Sequence, residues 1–194
     1  GWFHPQPCVT AAALAALATY VGGELPAITS AARYLRRTAE GGLWHPYWWY
    51  GPSYATCLAV RALGAIGPLP PAAAATTIAA VLSAREPDGG WSGRVPGRSL
   101  PFPTALCLST LLALGYEGPE LSAASDLLLA RQRASGAFEA SAELLVPGGV
   151  SAQTMTLVDG GRFTTACVLH ALHALRERPA ARHEDPSCSP TLHP

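Results

Sequence analysis

The sequence predicts an all-α fold in which helical hairpins stack side by side into a closed or partly closed double ring. A turn that ends in an aromatic residue recurs every 47 residues, at Trp44, Trp91 and Phe138. Four apolar helical runs also share a threonine near their start: Thr10, Thr56, Thr104 and Thr165. Because inner helices that are apolar almost all round must be surrounded, the hairpins are expected to cover one another.

Composition supports a large core and excludes two classes of partner. The chain has 194 residues, of which 49% are hydrophobic and only 13% are charged. Its 13 basic residues, all arginine, balance 13 acidic ones, so no basic face for nucleic acid or an anionic membrane is expected. The pattern of these residues predicts neither a transmembrane segment nor a signal peptide. The absence of Lys and Asn is typical of a GC-rich bacterial gene.

The five cysteines do not form the pattern of a disulfide framework. Cys57, Cys107 and Cys167 lie inside apolar helical runs, where a small thiol behaves as a hydrophobe. A cytoplasmic location is therefore expected. The chain starts at Gly1 and contains a single methionine, Met155, so we interpret it as a fragment or a processed piece.

The first half of the chain reads as two outer and two inner helices. An inner helix rich in Ala and Leu is predicted over 8–21 and ends at a Gly-Gly pair. An outer helix is predicted over 26–38, where arginines form a solvent-exposed polar face. A loop of five aromatic residues over 41–50 then leads into an inner helix from Tyr54 to Gly67. The Ala-rich run over 71–85 is the next outer helix.

The second half repeats this plan with one longer connection. An inner helix is predicted over 102–114 and an outer helix from Gly118 to Arg133. A connection over 139–162 precedes the last inner helix, 163–177. The repeat segment is thus predicted for 1–177, and the Pro- and Ser-rich tail over 178–194 is predicted to be disordered.

Aromatic residues at one end of the inner helices are the candidate binding site. The loops after each turn gather at the N-termini of these helices, and four bulky aromatics in a row there exceed ordinary packing needs. We expect a cavity lined by Tyr47, Trp48, Trp49, Tyr50, Tyr54, Phe102 and Phe163. The alternative role for the four loop residues is to hold neighbouring units of the ring together. The recurring Trp44, Trp91 and Phe138 are expected to be structural turn residues.

These turns carry a family resemblance. The segment QRASGAF, Gln132 to Phe138, is similar to the Q-x-x-x-G-x-W motif of class II terpene cyclases and squalene–hopene cyclases. REPDGGW and TAEGGLW, which end at Trp91 and Trp44, keep the Trp but lose the Gln. The resemblance spans residues 1 to 177 and implies an α/α toroid, here a partial ring of about three and a half hairpins from the C-terminal part of such a protein.

The resemblance also implies a chemistry. In that family the acid of a D-x-D-D motif, directly ahead of Thr-Ala, protonates a polyprenyl substrate, and carbocations then form in an aromatic-lined, dry cavity. The corresponding segments here are QPCV, PSYA, LPFP and GRFT, none with a carboxylate. We therefore expect this chain to supply cavity walls for an apolar isoprenoid and not the acid. No cofactor is expected in the chain. The sequence leaves open whether Mg²⁺ accompanies a diphosphate substrate.

Three other candidates have plainer interpretations. Asp159 lies near the predicted mouth of the cavity and is a candidate substitute for the D-x-D-D acid, although acidic residues beside Gly-Gly are ordinary in turns. Asp88 is most simply a turn residue. Cys167, His170 and His173 share a broad helix face and suggest a metal site, but apolar residues fill the equivalent positions of the His residues. We therefore interpret His170 and His173 as packing or edge residues and expect no metal.

Two other functions are open. Gly89 to Ser109 resembles a loop of protein prenyltransferase β-subunits, but Pro103 stands where a zinc-binding His should be, which disfavours that activity. The other alternative is a non-catalytic helical-repeat module that binds an apolar ligand or a partner protein. In either case a half ring leaves apolar flanks, so self-association or pairing with a missing half is expected.

Overall fold

A computed structural model describes residues 4–21, 25–146 and 153–178. Within those ranges it contains seven α-helices and two short strands. The helices are α1 (Pro7–Tyr20), α2 (Pro26–Arg37), α3 (Ser53–Ile66), α4 (Pro71–Ser83), α5 (Pro101–Ala113), α6 (Glu120–Ala130) and α7 (Arg162–Arg176). The strands are β1 (Glu143–Val146) and β2 (Gln153–Thr156).

The helices form two layers. Helices α1, α3, α5 and α7 pack in a row, each against the next, and form the inner layer. Outer helix α2 packs on α1 and α3, whereas α4 and α6 pack on α5. This arrangement confirms the predicted all-α class and the order of outer and inner helices, and it amounts to three outer–inner pairs plus the additional inner helix α1.

Helix α5 shows what an inner position demands. Its sequence PFPTALCLSTLLA has no charged residue, and all but its last two residues are buried. Pro101 starts it, because proline fits the first turn of a helix, where the N–H has no intrahelical partner. Although such helices are apolar, none in the described part of the chain is long and apolar enough to cross a membrane.

The recurring turns are held to the inner helices by one repeated hydrogen bond. The backbone N–H of Trp44 donates to the hydroxyl of Thr56, and that of Trp91 to Thr104, each at 3.0 Å. The same bond joins Phe138 to Thr165 at 3.0 Å. Thr56 and Thr104 therefore accept a buried backbone donor, and Thr165 a partly buried one, which would be costly to leave unpaired.

The indole rings add a second bond to the outer layer. Trp44 Nε1 donates to the carbonyl of Leu35 near the end of α2, and Trp91 Nε1 to Val81 near the end of α4, both at 2.7 Å. Phe138 has no such donor, yet its side chain is fully buried. Trp44 and Trp91 thus each link the end of an outer helix to the start of the next inner helix.

The position of the motif glutamine has a local role. Gln132 Nε2 donates to the carbonyl of Gly136 within its turn at 2.9 Å. In the preceding unit Arg85 stands in this position, and its Nε donates to the carbonyl of Gly89 at 3.2 Å. The arginine therefore closes the same turn, so loss of the Gln there preserves the local geometry.

The long connection over 139–162 contains two strands that the sequence analysis did not predict. Strands β1 and β2 pair antiparallel, with Glu143 opposite Thr156. The aromatic loop adds to the other edge of β1, because Tyr50 N donates to the Glu143 carbonyl at 2.9 Å and Leu145 N to that of Trp48 at 2.8 Å. The connection over 139–162, in the last repeat unit, is thereby joined to the aromatic loop of an earlier unit.

The start of α7 is fixed by a close approach to the preceding turn. Gly161, at the N-cap, has a left-handed backbone with φ of 80°. A Cβ atom there would lie 2.2 Å from the carbonyl oxygen of Phe138, so only glycine fits. Beyond α7, Arg178 forms an ion pair with Glu117 at 2.7 Å. The remainder of the predicted tail lies outside the described residues.

Candidate functional site

Four of the seven predicted cavity residues meet in one aromatic cluster: Trp49, Tyr54, Phe102 and Phe163. The closest ring centroids are those of Trp49 and Tyr54, 4.4 Å apart, and the farthest are those of Tyr54 and Phe163, 6.5 Å apart. Trp49 stacks on Phe102 at 5.6 Å and on Phe163 at 5.3 Å. These separations are typical of favourable aromatic contacts.

The repeat explains why three of these rings converge. Tyr54, Phe102 and Phe163 each lie in the first turn of an inner helix, in α3, α5 and α7. Parallel inner helices bring their N-terminal turns to the same end of the layer, so equivalent side chains point towards a common centre. The loop supplies the fourth ring, Trp49, whose backbone pairs with Leu144 of β1.

The walls around the cluster are apolar. They include Cys57, Leu106 and Ala142, which are buried, and Leu157 and Cys167, which are partly buried. Burial raises the pKa of the Tyr54 phenol, and neighbouring thiols add to that effect. The phenol is therefore neutral at physiological pH, and the four rings lie in an environment that disfavours charge without a partner.

The other three predicted residues lie apart from the cluster. Tyr47 and Trp48 contact each other edge to face, with centroids 4.9 Å apart, and line a groove of about 580 Å³ against α1 and the start of α2. Tyr50 lines a different cavity. Residues 48–50 run alongside a strand, where successive side chains point to opposite faces, and so Trp49 separates from its two neighbours.

The cavity beside Tyr50 has a volume of about 440 Å³, within the range of small-molecule sites. Its walls come from the aromatic loop, α3, α4, α5 and the start of β1, and include Phe102 of the cluster. Among the described residues that line it, Glu143 alone carries a carboxyl group. Its Oε2 accepts the backbone N–H of Arg94 at 2.7 Å.

Sequence reasoning missed Glu143. The residue reaches this cavity only because β1 pairs with the aromatic loop, some ninety positions earlier in the chain. Nothing in the local pattern ELLV distinguishes this glutamate from an ordinary surface residue. A contact of that kind has no sequence signal, since it depends on a strand pairing between two different repeat units.

Asp159 lies at the start of α7. Its Oδ1 accepts the N–H of Gly161 at 2.9 Å, and its Oδ2 accepts the N–H of Phe163 at 2.6 Å. Both oxygens are thus occupied by donors that a helix N-terminus would otherwise leave unpaired. This geometry favours the turn and capping role, and the role as a substitute acid stays a prediction.

Asp88 connects a turn to two neighbouring elements. Its carboxylate accepts hydrogen bonds from the Ser99 hydroxyl and the Gly90 N–H, and it pairs with Arg131 of the α6 C-terminus at 3.1 Å. Burial raises the pKa of Asp88, but these donors and the arginine charge outweigh it, so the pKa is lowered from its ordinary value. A structural role accounts for all of these contacts.

We expect Asp88→Asn to lower stability at neutral pH and to lose that effect in acid. A carboxylate with a depressed folded-state pKa stabilises the fold above its unfolded pKa, near 4, and the contribution disappears as pH falls through the folded value. Because the side chain is 37% exposed, screening limits the effect to below about 1 kcal/mol.

Thermal unfolding of wild type and Asp88→Asn at pH 7, 5, 4 and 3 measures this difference. Asp126→Asn on the exposed face of α6 is the matched control and should change little at any pH. A gap between wild type and Asp88→Asn that is as large at pH 3 as at pH 7 would contradict the assignment.

The histidines of α7 lie on the exposed side of that helix. His170 and His173 are exposed, and Cys167 is partly buried against the aromatic cluster. Burial lowers the pKa of His170, and the charge of Arg61 adds to this shift. Within the described residues no three His, Cys, Asp or Glu side chains are close enough together to hold a metal ion.

The cysteines of the described residues are free thiols. Burial raises the pKa of Cys57 and Cys107, and it raises that of Cys167 to about 11. Cys57, Cys107 and Cys167 are therefore protonated and pack as small hydrophobes, as predicted from their helical context. The cytoplasmic location inferred from them stays a prediction.

Comparison with known proteins identifies similar solved structures. The ligand-free type II terpene cyclase MstE from Scytonema is 28% identical, with a TM-score of 0.70 over 89% of this chain and 55% of that chain. A variant of MstE in complex with its substrate, geranylgeranyl dihydroxybenzoate, is 27% identical, with a TM-score of 0.71 over 90% of this chain and 55% of that chain.

A more distant structure shares the fold alone. The ent-copalyl diphosphate synthase from Streptomyces platensis is 22% identical, with a TM-score of 0.66 over 88% of this chain and 33% of that chain. No protein-family model and no curated protein sequence matches the chain. The chain thus spans little more than half of the MstE structures that it resembles.

Proposed function

We propose that this chain, which has the α/α-toroid fold of the class II terpene cyclase-like superfamily, forms part of a cyclase for an isoprenoid substrate. In this proposal the aromatic cluster is the wall of the site at which carbocations form. The single observation that carries it is the convergence of Trp49, Tyr54, Phe102 and Phe163 at the N-terminal end of the inner helices, within a fold shared with MstE.

The cluster has suitable chemistry for this role. The face of an aromatic ring attracts a cation, typically by about 0.5 to 2 kcal/mol, and offers no strong nucleophile to quench it. Tyr54 fits because its neutral phenol carries no anionic oxygen. In the proposed site the apolar residues around the rings would limit access of water, which strengthens electrostatic attraction to a developing positive charge.

The proposal assigns the proton donor to a part of the protein outside this chain. No D-x-D-D motif occurs in the 194 residues, and both Asp159 oxygens accept helix N–H groups. With a diphosphate substrate, Mg²⁺ would neutralise the phosphate charge. No three His, Cys, Asp or Glu side chains cluster within the described residues, so such an ion would need the substrate phosphates among its ligands.

A second candidate function is a non-catalytic module that binds an apolar ligand. The contacts within the cluster favour it, since the rings pack against one another. In this alternative the 440 Å³ cavity beside Tyr50 and Phe102 holds the ligand, and no bond is made or broken. The zinc site of a protein prenyltransferase has no support here, because Pro103 is buried in the first turn of α5.

Product analysis separates the two functions. The intact protein that contains this chain is incubated with polyprenyl diphosphates of 10, 15 and 20 carbons, and the extracts are analysed by gas chromatography with mass spectrometry. We expect a cyclic product from at least one of them, reduced tenfold or more by Phe102→Ala. A folded protein that binds these substrates but yields only linear material would contradict the cyclase proposal and support the binding-module alternative.

A further inference from the structure

The 440 Å³ cavity beside Tyr50 is a second space, separate from the aromatic cluster. Its walls all lie between Leu43 and Glu143, in the aromatic loop, α3, α4, α5 and the start of β1. Of the four rings of the cluster, Phe102 alone belongs to its lining. The direction of the chain explains the separation, because Ala142 packs against the cluster and the next side chain, that of Glu143, points to the opposite side.

The buried polar groups of this lining already have partners within the protein. The hydroxyls of Thr56 and Ser141 each accept a backbone N–H at 3.0 Å, and that of Thr110 donates to a carbonyl of its own helix at 2.8 Å. Burial raises the pKa of the Cys107 thiol, which is therefore protonated. The inner part of the cavity thus offers a ligand mainly apolar surface.

The carboxylate of Glu143 lies in this lining without a cationic partner. The residue is partly buried, and its Oε2 accepts only a backbone donor, the N–H of Arg94. Within the described residues none of the salt bridges involves Glu143, and Arg98 of the same loop pairs with Glu139 at 3.5 Å. A carboxylate on the wall of an apolar space is stabilised by a cation that comes with a ligand.

We propose that this cavity binds a small molecule with a primary ammonium group on an apolar body, and that Glu143 holds the ammonium. Three aromatic side chains line the same space: Tyr50, Trp91 and Phe102. Aromatic rings attract a cation and also pack against an apolar body, so they suit both parts of such a ligand. The carboxylate repels an anionic head group, which distinguishes this ligand from an isoprenoid diphosphate.

This inference is independent of the cyclase proposal, and it names the ligand chemistry of the cavity that the binding-module alternative uses. The cyclase proposal depends on the aromatic cluster and is tested with polyprenyl diphosphates. The ammonium site depends on Glu143 and is tested with small amines that carry no phosphate. Failure of one test therefore leaves the other unaffected.

Calorimetric titration of the chain at pH 7 with three probes of similar shape tests the ligand class. The probes are 2-phenylethylammonium, the neutral 2-phenylethanol and the anionic 3-phenylpropanoate. We expect the ammonium to bind about tenfold or more tightly than the alcohol, and the anion to bind most weakly. Equal affinities for the ammonium and the alcohol would overturn the proposal, as would the absence of saturable ammonium binding by the folded wild type.

Two variants locate the ammonium at Glu143. Glu143→Gln removes the charge but keeps an oxygen that can accept the Arg94 N–H, so ammonium binding should weaken about tenfold while alcohol binding stays within about twofold. Gly93→Ala keeps the charge, but its Cβ would overlap Oε2 of Glu143 and displace the carboxylate, so it should also weaken the ammonium selectively. Gly93 does not have a left-handed backbone, so alanine is compatible there.

Two further variants complete the test. Glu139→Gln removes the same charge from the surface pair with Arg98 and is the matched control, which should bind the ammonium as the wild type does. Ala80→Leu fills part of the cavity from α4 and should weaken both the ammonium and the alcohol about tenfold. Thermal unfolding verifies that each variant is folded. Unchanged ammonium affinity in folded Glu143→Gln or Ala80→Leu would overturn the proposal, and tighter binding of Nα-acetyl-lysine methylamide than of 2-phenylethylammonium would overturn the assignment to a small apolar amine.

Discussion

Replacing Trp91 by alanine is expected to lower the free energy of unfolding by about 3 to 5 kcal/mol, the usual range for a buried tryptophan. The side chain is 3% exposed and packs in the core formed around α5. Its Nε1 also donates to the Val81 carbonyl, the bond that fastens the end of α4 to this turn. A large cavity and a lost connection between the two helix layers should result.

Trp91→Phe separates these two contributions. It keeps most of the ring and removes only the indole donor, and Phe138 shows that the fold accepts phenylalanine at the equivalent position. We expect a loss of about 1 kcal/mol for the hydrogen bond plus a smaller packing loss. Tyr20→Ala, at a side chain 87% exposed, should change stability by less than about 0.5 kcal/mol.

Urea-induced unfolding followed by circular dichroism measures all three variants. The order expected for the loss of stability is Trp91→Ala, then Trp91→Phe, then Tyr20→Ala. If Trp91→Ala were no more damaging than Tyr20→Ala, the turn aromatic could not be the structural connection between the layers, and the repeat would require another explanation.

Much of the fold was predictable because it is repeated. The shared threonine near the start of each inner helix and the aromatic residue of each turn predicted that every unit has an outer and an inner helix. The hydrogen bonds from Trp44 to Thr56 and from Trp91 to Thr104 explain why both residues recur. The resemblance to class II terpene cyclases, based on those turns, is confirmed by the solved structures of MstE.

The hairpin of β1 and β2 was not predictable from its own residues. Each strand has only four residues, and pairing with the aromatic loop brings together positions as distant as Trp48 and Leu145. Local periodicity carries no information about a contact so remote in sequence. Once the pairing is known, the separation of Trp49 from Trp48 and Tyr50 follows from strand geometry.

The candidate site was predictable in part. Tyr54, Phe102 and Phe163 occupy one position of the repeat, so their convergence could be expected from the parallel inner helices. Direct contact among the rings could not be expected, because the space between the rings depends on how sharply the row of inner helices curves. That curvature is set by packing between helices and leaves no signature in any single helix.

Replacing Trp49 by alanine is expected to weaken binding of an isoprenoid chain by tenfold or more. Trp49 is the hub of the cluster, with ring contacts to Tyr54, Phe102 and Phe163 between 4.4 and 5.6 Å. Removal of an aromatic contact of about 1.4 kcal/mol corresponds to a factor of ten in affinity. Thermal unfolding of the variant verifies that the fold persists, and Trp49→Phe should recover most of the affinity.

Calorimetric titration of the purified chain with geranylgeranyl diphosphate tests the aromatic site most directly. We predict saturable binding to the wild type, tenfold or greater weakening for Trp49→Ala, and an unchanged affinity for Tyr20→Ala, whose exposed ring lies at the other end of α1. Equal affinities for all three proteins, or no binding by a folded wild type, would contradict the assignment of the aromatic cluster as the isoprenoid site.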